Sequence, residues 1–173
     1  MTLSPSPPLE PFVLIERSFV FPREIVFDAW TDPDLLASWF APRGCTIHFE
    51  RIDVREGGGF HSCVRNPGFS DCWTVAEFVE VVRPERIAFK WRIADSGGNA
   101  VSPRSQGQDP DWPVETLVTV TFAEENGRTL VTLSQNVSEA LAKRTGAHPS
   151  WIQMLERLDE LVARRSEGPR QGH

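Results

Sequence analysis

The sequence predicts an α+β domain: a curved antiparallel sheet closed over one long C-terminal helix, with two short helices after the first strand. Three observations carry this. Phe21 to Pro42 (FPREIVFDAWTDPDLLASWFAP) holds two helix starts with a reversal of direction between them. Apolar and polar residues alternate on both sides of Asn126-Gly127. Trp151, Met154, Leu155, Leu158, Leu161 and Val162 form an apolar stripe at helical spacing.

Taken in order, residues 1–11 are rich in proline and predict a disordered tail before a single domain over 12–165, with a second tail over 166–173. Phe12 to Phe21 alternates and reads as a strand. Pro22 and Pro33 suit first helical positions, where a missing N–H goes unnoticed, and Thr31 or Asp32 can cap the second helix. Val26, Ala29 and Trp30 share one face of the first helix; Leu35, Leu36 and Trp39 share one face of the second. Cys45–Val54 and Phe60–Arg65 read as strands around the turn Glu56-Gly57-Gly58-Gly59, and Trp73–Val82 as a fourth strand before the turn RPER. Ile87, Phe89, Trp91 and Ile93 alternate with Ala88, Lys90 and Arg92, a half-buried strand.

Residues 94 to 113 form a long irregular loop, expected to move as a lid, with Trp112 as its bulky anchor. The Asn-Gly dipeptide then sets a two-residue hairpin. Its register pairs Phe122 with Val131, Val120 with Leu133 and Val118 with Gln135, and on the other, exposed face Thr121 with Thr132 and Thr119 with Ser134. Gln135 is the exception on the apolar face. Pro149 opens a helix through Arg165 that is long enough to cross a sheet.

The chain has 173 residues, 40% of them apolar and 24% charged, enough for one ordinary core. No apolar run reaches the roughly 20 residues a membrane helix needs, so membrane insertion is not expected. The N-terminus lacks the basic start and apolar stretch of a signal peptide, and a cytoplasmic protein is the expectation. A net charge of −6 argues against nucleic acid as a partner. Three cysteines without a CxxC pair read as free thiols. With no tyrosine beside 6 Trp and 11 Phe, the aromatic residues are mostly apolar wall.

Cys45-x-x-His48, His61-x-Cys63 and Cys72 offer metal-ligating groups in one region. Cys45 and His48 are an odd number of residues apart on a strand and face opposite sides, so neither a metal nor another cofactor is expected. Asp53, His61, Glu77 and Glu80 can serve acid–base chemistry only if their strand faces point inward; Asp53 and Arg55 better suit fixing the glycine turn. No GxSxG, HExxH or P-loop pattern occurs, so no catalytic residue is assigned.

FPREIVFDAWTDPDLLASWFAP, DVREGGGF at Asp53–Phe60, EVVRPERIAFKW at Glu80–Trp91 and the terminal helix beginning Ser150-Trp151 recur in that order in one family. The chain resembles the bacterial proteins related to the activator of the heat-shock protein 90 ATPase, within the START/Bet v 1-like (SRPBCC) superfamily, over nearly all of residues 12–165. The resemblance implies a helix-grip fold with a hydrophobic cavity between sheet and helix. It departs at Ser150, where the family commonly has glycine, and in the length of the 94–113 loop.

In such a cavity Trp39, Phe40, Phe89, Trp91, Trp112, Trp151 and Met154 are the candidate walls and Gln135 the orienting polar group, its amide partnered by a ligand's polar head or a trapped water. The expected function is binding of a small hydrophobic molecule, lipid-like or aromatic. Two alternatives stay open: an enzyme using the same cavity, polyketide cyclase/aromatase-like or hydrolytic, and a chaperone-associated stress-response interaction protein. His61 with a carboxylate inside the cavity would mark the enzyme. An exposed apolar patch on the sheet would mark the interaction protein. Homodimerisation is left open.

Overall fold

The computed structural model describes residues 11–167. The expected tails over 1–11 and 166–173 lie outside this range except for their innermost residues; the last helix runs on to Glu167. The elements are β1 (Phe12–Phe19), α1 (Arg23–Thr31), α2 (Pro33–Trp39), β2 (Thr46–Asp53), β3 (Gly59–Arg65), β4 (Cys72–Val82), β5 (Arg86–Ile93), β6 (Thr116–Glu125), β7 (Arg128–Ser138), α3 (Glu139–Thr145) and α4 (Ala147–Glu167).

All seven strands join one antiparallel sheet in the order β1-β7-β6-β5-β4-β3-β2. Strands β1 and β2 follow one another in sequence but form opposite edges, so α1 and α2 must carry the chain across one end of the sheet. Asp32 makes the reversal between them: its side chain accepts from the N–H groups of Asp34 and Leu35 as the cap of α2. Pro33 opens α2 as expected, whereas Pro22 stands one position before α1, its carbonyl accepting from Ile25 and Val26.

The hairpin register is the expected one, residue for residue: Val118 faces Gln135, Val120 faces Leu133 and Phe122 faces Val131. Those six side chains are buried on the concave face. Thr119, Thr121, Thr132 and Ser134 point outward but are half-buried rather than exposed. Both strands are interior to the sheet, so side chains from β5 and β1 shade them on either side.

The glycine turn after β2 is dictated by crowding. A Cβ on Gly58 would sit 2.2 Å from the Asp53 carbonyl oxygen, and one on Gly59 2.0 Å from that of Ala76. Arg55 donates to Asp53 across the same turn at 2.6 Å.

Helix α4 lies over the concave face, placing Leu155, Leu158 and Val162 in one core with Val13, Phe19, Val120, Phe122 and Leu133. It starts at Ala147, two residues before Pro149, which the first turn tolerates because those N–H groups have no helical partner. Arg157 fastens α4 to the end of α2 by donating to the carbonyls of Ser38 and Ala41. Helix α3 was not expected from the sequence. It is capped by the Ser138 hydroxyl, which accepts from Leu141, and ends at Gly146 with φ 88°.

Candidate functional site: a cavity between sheet and helix

The concave face does not fill against the first turns of α4. A cavity of about 500 Å³ remains there, within the size range of small-molecule pockets. Its inner wall is a triangle of aromatic rings from three distant elements: Phe40 at the end of α2, Trp91 on β5 and Trp151 on α4. Their centroids lie 5.6 to 5.9 Å apart.

Each indole is pinned by its N–H. Trp91 Nε1 donates to Thr74 Oγ1 at 2.9 Å, and Thr74 in turn shares a hydrogen bond with Ser62. Trp151 Nε1 donates to Gln135 Oε1 at 2.9 Å. Gln135 Nε2 donates to Thr116 Oγ1 at 3.1 Å. The expectation that a ligand or water partners Gln135 is therefore corrected: its amide is held on both sides by the protein. A buried amide costs free energy unless paired, and here the pairing also sets the angle of Trp151.

Of the eight candidate wall residues, Phe40, Trp91, Trp112, Gln135, Trp151 and Met154 line the cavity. Trp39 and Phe89 do not; they belong to the core beside it. Trp39 is turned between α1 and α2, where its N–H donates to the Ala29 carbonyl at 2.9 Å and its ring meets Trp30 edge to face at 4.7 Å. Phe89 is two residues deeper along β5 than Trp91 and packs on Phe60 and Phe78. The lining residues that sequence reasoning missed include Thr74, Thr116, Cys45 and Cys72. Extending the hairpin alternation two residues back from Val118 would have found Thr116.

The mouth is built from loops. Trp112 reaches the cavity from the 94–115 segment, which carries local structure within the irregular loop: Ala94 and Ala100 form a bridge and Pro103–Gln106 a helical turn. Arg144 at the end of α3 holds this segment through Asp109 at 3.3 Å and Asp111 at 3.1 Å. Phe69, 76% exposed, stands on the opposing β3–β4 loop.

The titratable candidates are elsewhere. His61 is 7% exposed but lies on the outer face of the sheet, its ring 5.0 Å from that of Trp73 and tilted against it, and bonded through Nε2 to the Asp95 carbonyl. Glu77 is exposed and Glu80 pairs with Arg86. Cys45 is buried at the cavity, whereas His48 is exposed beside Glu50. Among the described residues no three His, Cys, Asp or Glu side chains are grouped to hold a metal ion. Burial pushes the Cys63 and Cys72 thiols up, which keeps them in the weakly nucleophilic protonated form.

Asp95 organises the start of the mouth segment. The backbone N–H of Asn99, then its side-chain amide, then the N–H of Gly97 hold the Asp95 carboxyl below its usual range. A depressed carboxylate stabilises the fold above its unfolded pKa of about 3.9, and that contribution disappears as pH falls through the lower folded value. A carboxyl-carbon NMR titration should give Asp95 a midpoint below the ordinary value, and Asn99→Ala should raise it. A midpoint at or above that value in the wild-type chain would contradict the turn.

An antiparallel sheet wrapped on a C-terminal helix, sealed by two short helices and hollow between, defines the helix-grip class. Residues 20–163 match the family described as Activator of Hsp90 ATPase homolog 1-like protein, and the chain belongs to that family. Among solved structures it is similar to a Staphylococcus epidermidis protein (23% identity, 100% of this chain and 99% of that chain covered, TM-score 0.72). A Chromobacterium violaceum protein is 21% identical over 89% of this chain and 99% of its own, with a TM-score of 0.71. The AHSA1 protein of Silicibacter pomeroyi is 18% identical over 88% of this chain and 98% of its own, with a TM-score of 0.68. These likenesses establish the fold. No protein of the curated set matches the sequence.

Proposed function

We propose that this chain binds a small hydrophobic molecule in the cavity between the sheet and α4. The observation that carries this reading is a hollow of about 500 Å³, two of whose aromatic walls, Trp91 and Trp151, are held in place by hydrogen bonds from their indole N–H groups. Side chains packed merely to fill space leave no such hollow. Pinned indoles instead give a preorganised, largely apolar site with few polar points. Binding is favoured over catalysis by the placement of His61, which sits on the far side of the sheet under Asp95.

The test uses N-phenyl-1-naphthylamine, a neutral apolar fluorophore. It should bind saturably, with enhanced emission and quenched tryptophan fluorescence. At a hundredfold excess over Kd it should raise Tm by about 5–10 °C. Neither saturation nor a thermal shift would contradict the proposal.

A further inference from the structure

The hydrogen-bond directions at the cavity floor are forced, and they leave protons over. Indole nitrogen can only donate, so the atom of Gln135 that meets Trp151 Nε1 at 2.9 Å is its carbonyl oxygen. That orientation turns the amide NH2 toward Thr116 Oγ1, 3.1 Å away, and Thr116 must accept. The Thr116 hydroxyl proton is then committed to nothing: among the described residues Thr116 Oγ1 donates to no acceptor. The second amide proton of Gln135 is in the same position. Both side chains are 2% exposed and both line the cavity. Every acceptor oxygen of the group is engaged at least once, while these donors are not. Buried donors without partners are rarer and costlier than half-used oxygens.

Charge completes the picture. Among the described residues the one cationic side chain in the lining, Arg92, is held by Glu115 at 2.6 Å, and the one anionic side chain, Asp109, is held by Arg144. Among the described residues no uncommitted charge lines the cavity to compensate a carboxylate or an ammonium group, whose desolvation would go unrepaid.

Resting on the proposed binding function, we propose that the polar end of the ligand is an uncharged hydrogen-bond acceptor, a ketone, ester or amide carbonyl, received by the hydroxyl of Thr116 beside Gln135. Thr116 supplies the donor, and Gln135 orients it by occupying its lone pair. The rest of the molecule lies against Phe40, Trp91 and Trp151. The free carboxylate of a fatty acid is disfavoured at this floor, and so is a plain hydrocarbon.

A matched set tests this: 2-acetylnaphthalene, its isosteric hydrocarbon 2-isopropenylnaphthalene, and 2-naphthoate. The full chain should bind the ketone about three- to tenfold more tightly than the hydrocarbon, one net hydrogen bond, and the naphthoate most weakly. Thr116→Val should bring ketone and hydrocarbon to equal affinity, with a cooperative urea transition showing that the variant is folded. Thr116→Ser should restore the preference. Equal binding of ketone and hydrocarbon by the wild-type chain, or tighter binding of the naphthoate, overturns the acceptor assignment and leaves the binding function standing. A ketone preference that survives Thr116→Val overturns the role of Thr116. Failure of all three to bind overturns both the assignment and the function it rests on.

Discussion

Phe122→Ala is expected to lower stability by about 3–5 kcal/mol, the range for truncating a large aromatic side chain in a packed core. Phe122 is 2% exposed on the concave face, opposite Val131 in the hairpin. Its ring meets Phe27 of α1 at 5.1 Å and Trp30 at 6.3 Å, so it ties the short helices to the sheet. The neighbouring Thr121 points to the other face, and Thr121→Ala should stay within about 0.5 kcal/mol. Urea unfolding separates the two: the midpoint should fall strongly for the first and hardly move for the second. Similar losses for both would mean that the faces of the hairpin are not distinguished as described.

Trp151→Ala should cost a comparable amount, about 3–5 kcal/mol, by a different route. The indole packs against Trp30, Phe40 and Trp91 on one side, borders the cavity on the other, and donates to Gln135. Removing it forfeits the packing and strips a partner from a buried carbonyl oxygen. Gln135→Leu makes the complementary defect, leaving the indole N–H without an acceptor, at about 1–3 kcal/mol. Because the two side chains form one unit, the double variant should lose less than the sum, with a coupling of about 0.5–3 kcal/mol. Additive losses would show that the Trp151–Gln135 bond is not maintained in solution.

What could be read in advance follows from how each feature is encoded. The Asn126-Gly127 turn and the period of two around it specify register and faces locally, so Val118 to Leu133 fell where the alternation placed them. Periodicity reports a face but not a depth: Phe89 and Trp91 share a side of β5, yet the first is core and the second is cavity wall. Trp39 was misplaced for a related reason. The rotation of α2 is decided by its contact with α1, through a bond to Ala29 that no spacing announces. Gln135 was visible as an anomaly, but its partners come from β6 and α4 and exist only once the helix is seated on the sheet. Helix α3, at seven residues, is too short to carry a clear apolar period, and only Ser138 and Gly146 marked its ends.

The central proposal is that the space walled by Phe40, Trp91 and Trp151 receives an apolar molecule. Nitrogen-labelled protein titrated with 2-acetylnaphthalene tests it most directly, read at the indole N–H resonances. Trp91, Trp112 and Trp151 line the cavity, whereas Trp73 packs against His61 on the outer face of the sheet and serves as the internal reference. The resonances of the three lining tryptophans should move together to saturation at one common Kd while that of Trp73 stays in place. Resonances that do not move, or that move for Trp73 as much as for the lining three, would contradict binding in this cavity.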